Sequence, residues 1–249
     1  NASNITKNLG WLEENKIADV QIDNESAQTS LIAIQGPESR DILKHITTDH
    51  LDLSFYSFKL SEYKNKKIMI SRTGYTGELG FEIYGEHESI QNIWDVLMAT
   101  GEIQPVGLAV RDILRMEMKY CLYGNDIDDS KNPIEAGLGW ITDLKKDNFI
   151  GRDVISAVKK DKPEKRLIAF IMEARGIPRP GYEIQKENSN IGIVTSGTQS
   201  LGLQKGIGLA YVSREFSKSG TEIDVLIRNK PIPAKIIKPP FIKITSLLS

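Results

Sequence analysis

After Lys160 the chain breaks into six short alternating runs: KRLIAFIMEA, GYEIQ, NIGIVTSG, GIGLAYV, TEIDVLIRN and PAKIIKPP. Gly, Pro and Asn punctuate them at intervals of about ten residues, the spacing of short strands joined by tight turns. Successive side chains of a strand point to opposite faces, and an open sheet leaves unpaired edges. Runs this short therefore have to close into a small antiparallel barrel or pack as a sandwich. The lysine-rich stretch VKKDKPEKR marks the junction with what precedes it. The expected division is residues 1–160 as one domain and 161–249 as a second, β-barrel domain.

Upstream of the junction, strand and helix patterns alternate. TSLIAIQG reads as a buried strand, and GPESRDILKHI as a helix with Pro37 in its first turn and Ile42, Leu43 and Ile46 on one face. KKIMISRTG and FEIYG read as strands. ESIQNIWDVLMAT follows, with Ile90, Ile93, Trp94, Val96 and Leu97 at helical spacing. GLAVRDILRMEMKYCLYG gives the strongest helical pattern. Val110, Ile113, Leu114, Met118 and Cys121 form its apolar stripe, and Arg111, Arg115 and Lys119 fall on another face. The fold class is α+β: an α/β-type domain followed by the barrel.

Composition narrows the function classes. The 249 residues carry 32 basic and 33 acidic side chains, so the net charge of −1 leaves no electrostatic footprint for nucleic acid or an anionic membrane. No apolar run reaches the roughly 18 residues of a spanning helix. Cys121 is the sole cysteine, which excludes an internal disulfide and suits a reducing compartment such as the cytoplasm, or the mitochondrial matrix in a eukaryote. His45, His50 and His87 lack metal-ligand spacing, so no metal is expected. No GxSxG, GxGxxG or GxxxxGK[ST] pattern nominates a serine nucleophile or a nucleotide loop.

One stretch asks for more than packing. SRTGYTGELGFEIY, residues 71–84, holds Gly74, Gly77 and Gly80 around Tyr75 and just ahead of Glu82. Gly74 and Gly77 are expected to bracket a sharp turn through positive φ, and Gly80 to let a strand restart. Alternation puts Phe81 and Ile83 on one face and Glu82 on the other. Glu82 then sits either on an exposed hairpin or as a carboxylate in a lined pocket with Tyr75 beside it. Arg111, near the start of the long helix, is either paired within the helix or presents its fork of donors to a polar ligand. A planar heterocycle with an N–H edge and a carbonyl would suit a carboxylate, an arginine and an aromatic ring together.

These segments resemble the aminomethyltransferase family of the glycine cleavage system, the T-proteins. The resemblance runs nearly end to end: NASNI, IAIQGP, SRTGYTGELGFEIY, GLAVRDILRMEMKYCLYGNDID, NPIEAGLGW, DNFIGRD, GIPRPGYEI and IGIVTSGTQS, in order. It implies a tetrahydrofolate-binding domain and a barrel. It also implies transfer of the methylene of a lipoyl-bound aminomethyl group, carried by the H-protein, to tetrahydrofolate, with release of ammonia. Glu82 and Arg111 match the residues that hold the pterin in the family, and Tyr75 is expected to line or stack on the same ligand. Tyr123 is a weaker candidate. Asn132, Glu135 and Trp140 of NPIEAGLGW are expected to support the folate cavity from behind.

The resemblance also departs in places. The family's reactive aspartate lies in a strand upstream of the NASNI match, so the chain is expected to lack it, together with part of the folate domain, and to be inactive alone. Asp112, Asp126 and Asp128 match ordinary family positions. PPFIKITSLLS lacks a tyrosine that some members place after the Pro-Phe pair. Two related readings compete. The folate-binding proteins of iron–sulfur maintenance carry a cysteine motif where this chain has KKDNFIGRD. Transferase-like modules of dimethylglycine- and sarcosine-oxidising enzymes attach to a flavin domain, of which this sequence has no trace.

Overall fold

The computed structural model describes residues 2–49 and 51–248, so Asn1, His50 and Ser249 lie outside the described residues. The chain divides into two units, one of residues 1–106 with 244–249 and one of residues 107–243.

In the first unit, α1 (Ile5–Asn15) precedes β1 (Thr29–Gln35), α2 (Ser39–Leu43), the hairpin β2 (Phe58–Tyr63) and β3 (Lys66–Ser71), then β4 (Gly80–Glu86) and α3 (His87–Ala99). The four strands form one sheet in the order β1-β4-β3-β2, every neighbour antiparallel. The β2 strand escaped sequence reading, although Lys64 and Asn65 at φ 49° and 63° make the two-residue turn that joins it to β3. Ile32, Ile34, Ile68, Ile70, Phe81 and Ile83 cover one face and pack with Ile42 and Leu43 of α2 and Ile90, Ile93 and Leu97 of α3. Each fully buried side chain of this size contributes about 1.5–3 kcal/mol.

Several expectations change here. The first strand is an edge strand that alternates, with Leu31 48% exposed beside buried Ile32 and Ala33 exposed between buried Ile32 and Ile34, rather than a buried one. The helix after Pro37 is only five residues long. Trp94 faces outward, because α3 turns Ile90, Ile93 and Leu97 toward the sheet. Residues 244–248 return to this unit: Ser246 donates from its backbone N (3.0 Å) and from its hydroxyl to Glu78 Oε2, and accepts from Leu79 N at 2.9 Å. Arg72, buried against the rings of Phe55 and Phe81, donates to Leu247 O at 2.7 Å.

The second unit opens with α4 (Leu108–Glu117) and continues through α5 (Arg152–Asp161) into six strands. These are β5 (Lys165–Met172), β6 (Glu183–Lys186), β7 (Ser189–Ser200), β8 (Lys205–Ser213), β9 (Glu222–Ile227) and β10 (Lys230–Ile237). They close into a barrel in the order β10-β5-β8-β7-β6-β9, so the expected six-run barrel is present. Two of its hairpins turn on Glu187-Asn188 and Arg228-Asn229, all four residues at positive φ. Ile168, Phe170 and Met172 of β5 fill the interior with residues of the other strands. The alternate residues Leu167 and Ala169 pack outside with Ile207, Leu209, Tyr211, Phe241 and Met116 of α4. This two-sided burial explains why β5 and β8 read as nearly continuous apolar runs.

The α4 helix differs most from its sequence reading. Its buried residues are the last three, Arg115, Met116 and Glu117, while Val110 of the expected apolar stripe is exposed. The physical reason is a polar cluster. Arg115 donates from Nε to Asp112 Oδ1 (2.8 Å), from NH1 to Asp126 Oδ2 (2.7 Å) and Tyr120 O (3.2 Å), and from NH2 to Ser196 Oγ (3.0 Å). Asp126, fully buried, also accepts from Leu122 N (2.9 Å) and Thr195 Oγ1 (2.5 Å). A bulge in β7 at Thr195 lets two consecutive side chains reach the same cluster. Glu117 is matched separately by Ser200 Oγ at 2.5 Å.

Lys119 follows α4 at φ 61° and donates to Ala136 O at 2.8 Å. Burial pushes its amine below the ordinary lysine value of 10.5. The unfolded chain therefore holds a proton there that the folded chain gives up, and this group's contribution to stability rises with pH across the window just below 10.5. Burial pushes the neighbouring Cys121 thiol up and acts with the opposite sign. Lys119→Met should remove the rising component. The difference in urea midpoint between variant and wild type, measured from pH 7 to 10, should move in favour of wild type as pH rises, and a constant difference would contradict the assignment.

Candidate functional site

The stretch 71–84 builds a compact polar feature on the sheet face opposite the core. Register aligns Ser71 with Glu82 and Ala33 with Glu82, so Glu82 stands on a central strand and not on an edge hairpin. It is half-buried. Tyr84, two residues on, shares its face, and Phe58 and Leu60 of β2 continue that face at 62% and 74% exposure. The sheet thus buries one face inside this unit and leaves Leu31, Ala33, Phe58 and Leu60 of the Glu82 face exposed.

Three hydroxyls organise the carboxylate. Thr73 Oγ1 donates a short hydrogen bond to Glu82 Oε2, and the Tyr84 hydroxyl donates to the same oxygen at 3.4 Å. With its one proton spent on Glu82, Thr73 Oγ1 accepts from Ser71 Oγ at 2.6 Å. Burial first, then the adjacent Glu82 carboxylate, hold the Tyr84 phenol above its ordinary range, so it stays a donor at neutral pH. Both neighbours converge on Oε2, and among the described residues none donates to Oε1. One half of the carboxylate is oriented and the other is left to accept.

Tyr75 sits half-buried in the loop between Thr73 and Gly80, in the same unit as Glu82. That loop needs its glycines for two different reasons. Gly77 adopts φ 78°, as expected. Gly74 does not lie in the positive-φ region; its requirement is space, taken up by the Gln35 side chain. Sequence reading missed Gln35, Thr73 and Tyr84. The alternation of Glu82 and Tyr84 was the available signal for the last.

Arg111 belongs to the other unit, on the exposed first turn of α4. Asp112 pairs with Arg115 and so is engaged away from it. Tyr123 donates to Asp129 at 2.6 Å. Asn132 and Glu135 make a local turn, the Asn132 N–H donating to Glu135 Oε1 at 2.6 Å and Asn132 Oδ1 accepting from Ile134 N at 2.9 Å. Trp140 is 79% exposed. His45 lies at the surface against Glu102, and His87 donates from Nε2 to Ala27 O and accepts at Nδ1 from Ser30. Among the described residues no three His, Cys, Asp or Glu side chains group closely enough to hold a metal ion, and no helix is long and apolar enough to cross a membrane.

Residues 1–146 match the family described as GCVT N-terminal domain, and residues 165–243 match the glycine cleavage T-protein C-terminal barrel domain. The chain belongs to the glycine cleavage T-protein family. Among T-protein relatives, the aminomethyltransferase of Halothermothrix orenii is 42% identical over 97% of this chain and 69% of its own length. That of Bacillus subtilis is 43% identical over 98% and 69%. A crystal structure of the glycine cleavage system aminomethyltransferase T from Bartonella henselae superposes with a TM-score of 0.88 at 29% identity, over 97% of this chain and 67% of that one.

Proposed function

We propose that this chain serves the aminomethyltransferase reaction of the glycine cleavage system. In that reaction, the methylene of an aminomethyl group on the lipoyl arm of the H-protein passes to tetrahydrofolate, and ammonia leaves. Tetrahydrofolate supplies the two nitrogens that become bridged by the methylene. The observation that carries the reading is the Glu82 carboxylate, half-buried, oriented through Oε2 by Thr73 and Tyr84, with no described donor on Oε1. A reduced pterin presents parallel N–H donors along one edge, and a fixed carboxylate is the acceptor that recognises such an edge. In this reading Tyr75 lines the ring and Arg111 contributes its guanidinium fork to the ligand. Holding the folate in place, rather than acid strength, is the contribution of these side chains.

No carboxylate of the 249 residues matches the family's reactive aspartate, so we propose that they bind folate without turning it over. Residues 1–160 then serve the folate domain and 161–249 the barrel, in a compartment that keeps Cys121 reduced. Titration calorimetry with tetrahydrofolate tests the site. Glu82→Ala should weaken binding by about 1.5–3 kcal/mol, the worth of a charged acceptor, or roughly 10- to 150-fold in Kd. Equal affinities would remove Glu82 from the site. Transfer at ordinary family rates by these residues alone, with lipoylated H-protein and tetrahydrofolate, would overturn the second statement.

A further inference from the structure

Gln35 ends β1 directly opposite Gly80 of β4. Its amide is used at both ends: Nε2 donates to Thr73 O at 3.2 Å and Phe81 O at 3.4 Å, and Oε1 accepts from Thr76 Oγ1 at 2.9 Å. A Cβ built on Gly74 would fall 2.0 Å from Oε1 and 2.8 Å from Nε2, and one on Gly80 would fall 2.3 Å and 2.4 Å from the same atoms. Two glycines six positions apart thus give their side-chain space to one amide. That amide bonds three points of the loop between them or at its margins.

We infer that Gln35 is a positioning residue of the candidate site: the loop of residues 73–80 is wound around its amide, and this sets the Thr73 hydroxyl against Glu82. The link is direct, because Thr73 is held by Gln35 through its carbonyl and holds Glu82 through its hydroxyl. Only an amide fits. A glutamate of the same size has no donor for the carbonyls of Thr73 and Phe81, and an apolar side chain leaves those carbonyls and Thr76 without their partner. An alanine at 74 meets the mobile end of a side chain and not backbone, so it is accommodated by evicting the amide. Gly74→Ala and Gln35→Ala therefore damage one and the same contact.

The consequence for ligand binding rests on the folate reading above; the consequence for the loop does not. The test compares Gln35→Ala, Gln35→Glu, Gly74→Ala, the Gln35→Ala/Gly74→Ala pair and Glu82→Ala in the full 249-residue chain. Melting temperature is measured without ligand, and tetrahydrofolate Kd well below each melting point. Gln35→Ala, Gln35→Glu and Gly74→Ala should each lower the melting temperature and raise Kd about tenfold, the scale of one lost hydrogen-bonding group. The double variant should be no worse than the poorer single, because its alanine at 74 finds the space already empty. Additive losses of melting temperature would overturn the winding of the loop around Gln35. A wild-type Kd in Gln35→Ala, with binding lost in Glu82→Ala, would overturn its positioning role. Wild-type binding in Glu82→Ala would instead defeat the folate reading, and the melting temperatures of the paired variants would still decide the loop.

Discussion

Asp126→Ala should be the most damaging single change in the molecule, costing about 3–5 kcal/mol, the range for stripping one partner from a buried ion pair. Arg115 is 1% exposed, and its NH1 would keep only the Tyr120 carbonyl. The Thr195 hydroxyl and Leu122 N–H would lose their shared acceptor as well. Asp112, half-exposed, still meets Nε and NH2, which holds the cost toward the lower end. Calorimetry should record a fall in melting temperature on the order of 10 °C. Asp126→Asn retains an acceptor and should fall by less. A variant melting within about a degree of wild type would show that the cluster is not what anchors α4 to the barrel.

Gly197→Ala should come second. A Cβ there would lie 2.3 Å from Pro178 O and 2.6 Å from Pro178 C, atoms of the backbone that no side-chain rotation can clear. Overpacking of this kind costs about 1–3 kcal/mol or more, since strand and loop have to separate. Gly10, in the middle of α1, provides the contrast: a Cβ there meets nothing within 4 Å. Gly10→Ala should stabilise its helix by about 0.5–1 kcal/mol. Chemical denaturation of both variants checks the pair, and similar midpoints would count against the close approach of β7 to Pro178.

Those two outcomes bear on what could be read from sequence. The barrel was legible because alternation and turn residues repeat along six strands, and no single residue has to be understood. The α4 helix was misread because helical spacing identifies a stripe without saying what lies against it. Arg115 is inside only because Asp126, eleven residues on, and Ser196, in a β7 strand bulged at Thr195, converge there. Glu82 could be singled out from the strand pattern, as could Tyr75 from its glycines. Their setting could not, since it depends on the register that brings Ser71 beside Glu82 and on an amide arriving from β1. Gly74 makes the same point. Its presence was noticed, but its reason lay 39 positions away in Gln35.

The segment from Ile244 onward has an implication for how the molecule is made on the ribosome. Its bonds to Glu78 and Arg72 join positions 168 and 175 apart in the chain, and everything between them except the residues up to Val106 belongs to the other unit. Domains generally fold as they emerge, the N-terminal part first. Here residues made before the barrel are bonded by residues made after it, so the Glu78 carboxylate waits through the synthesis of residues 107–243 before its partner arrives.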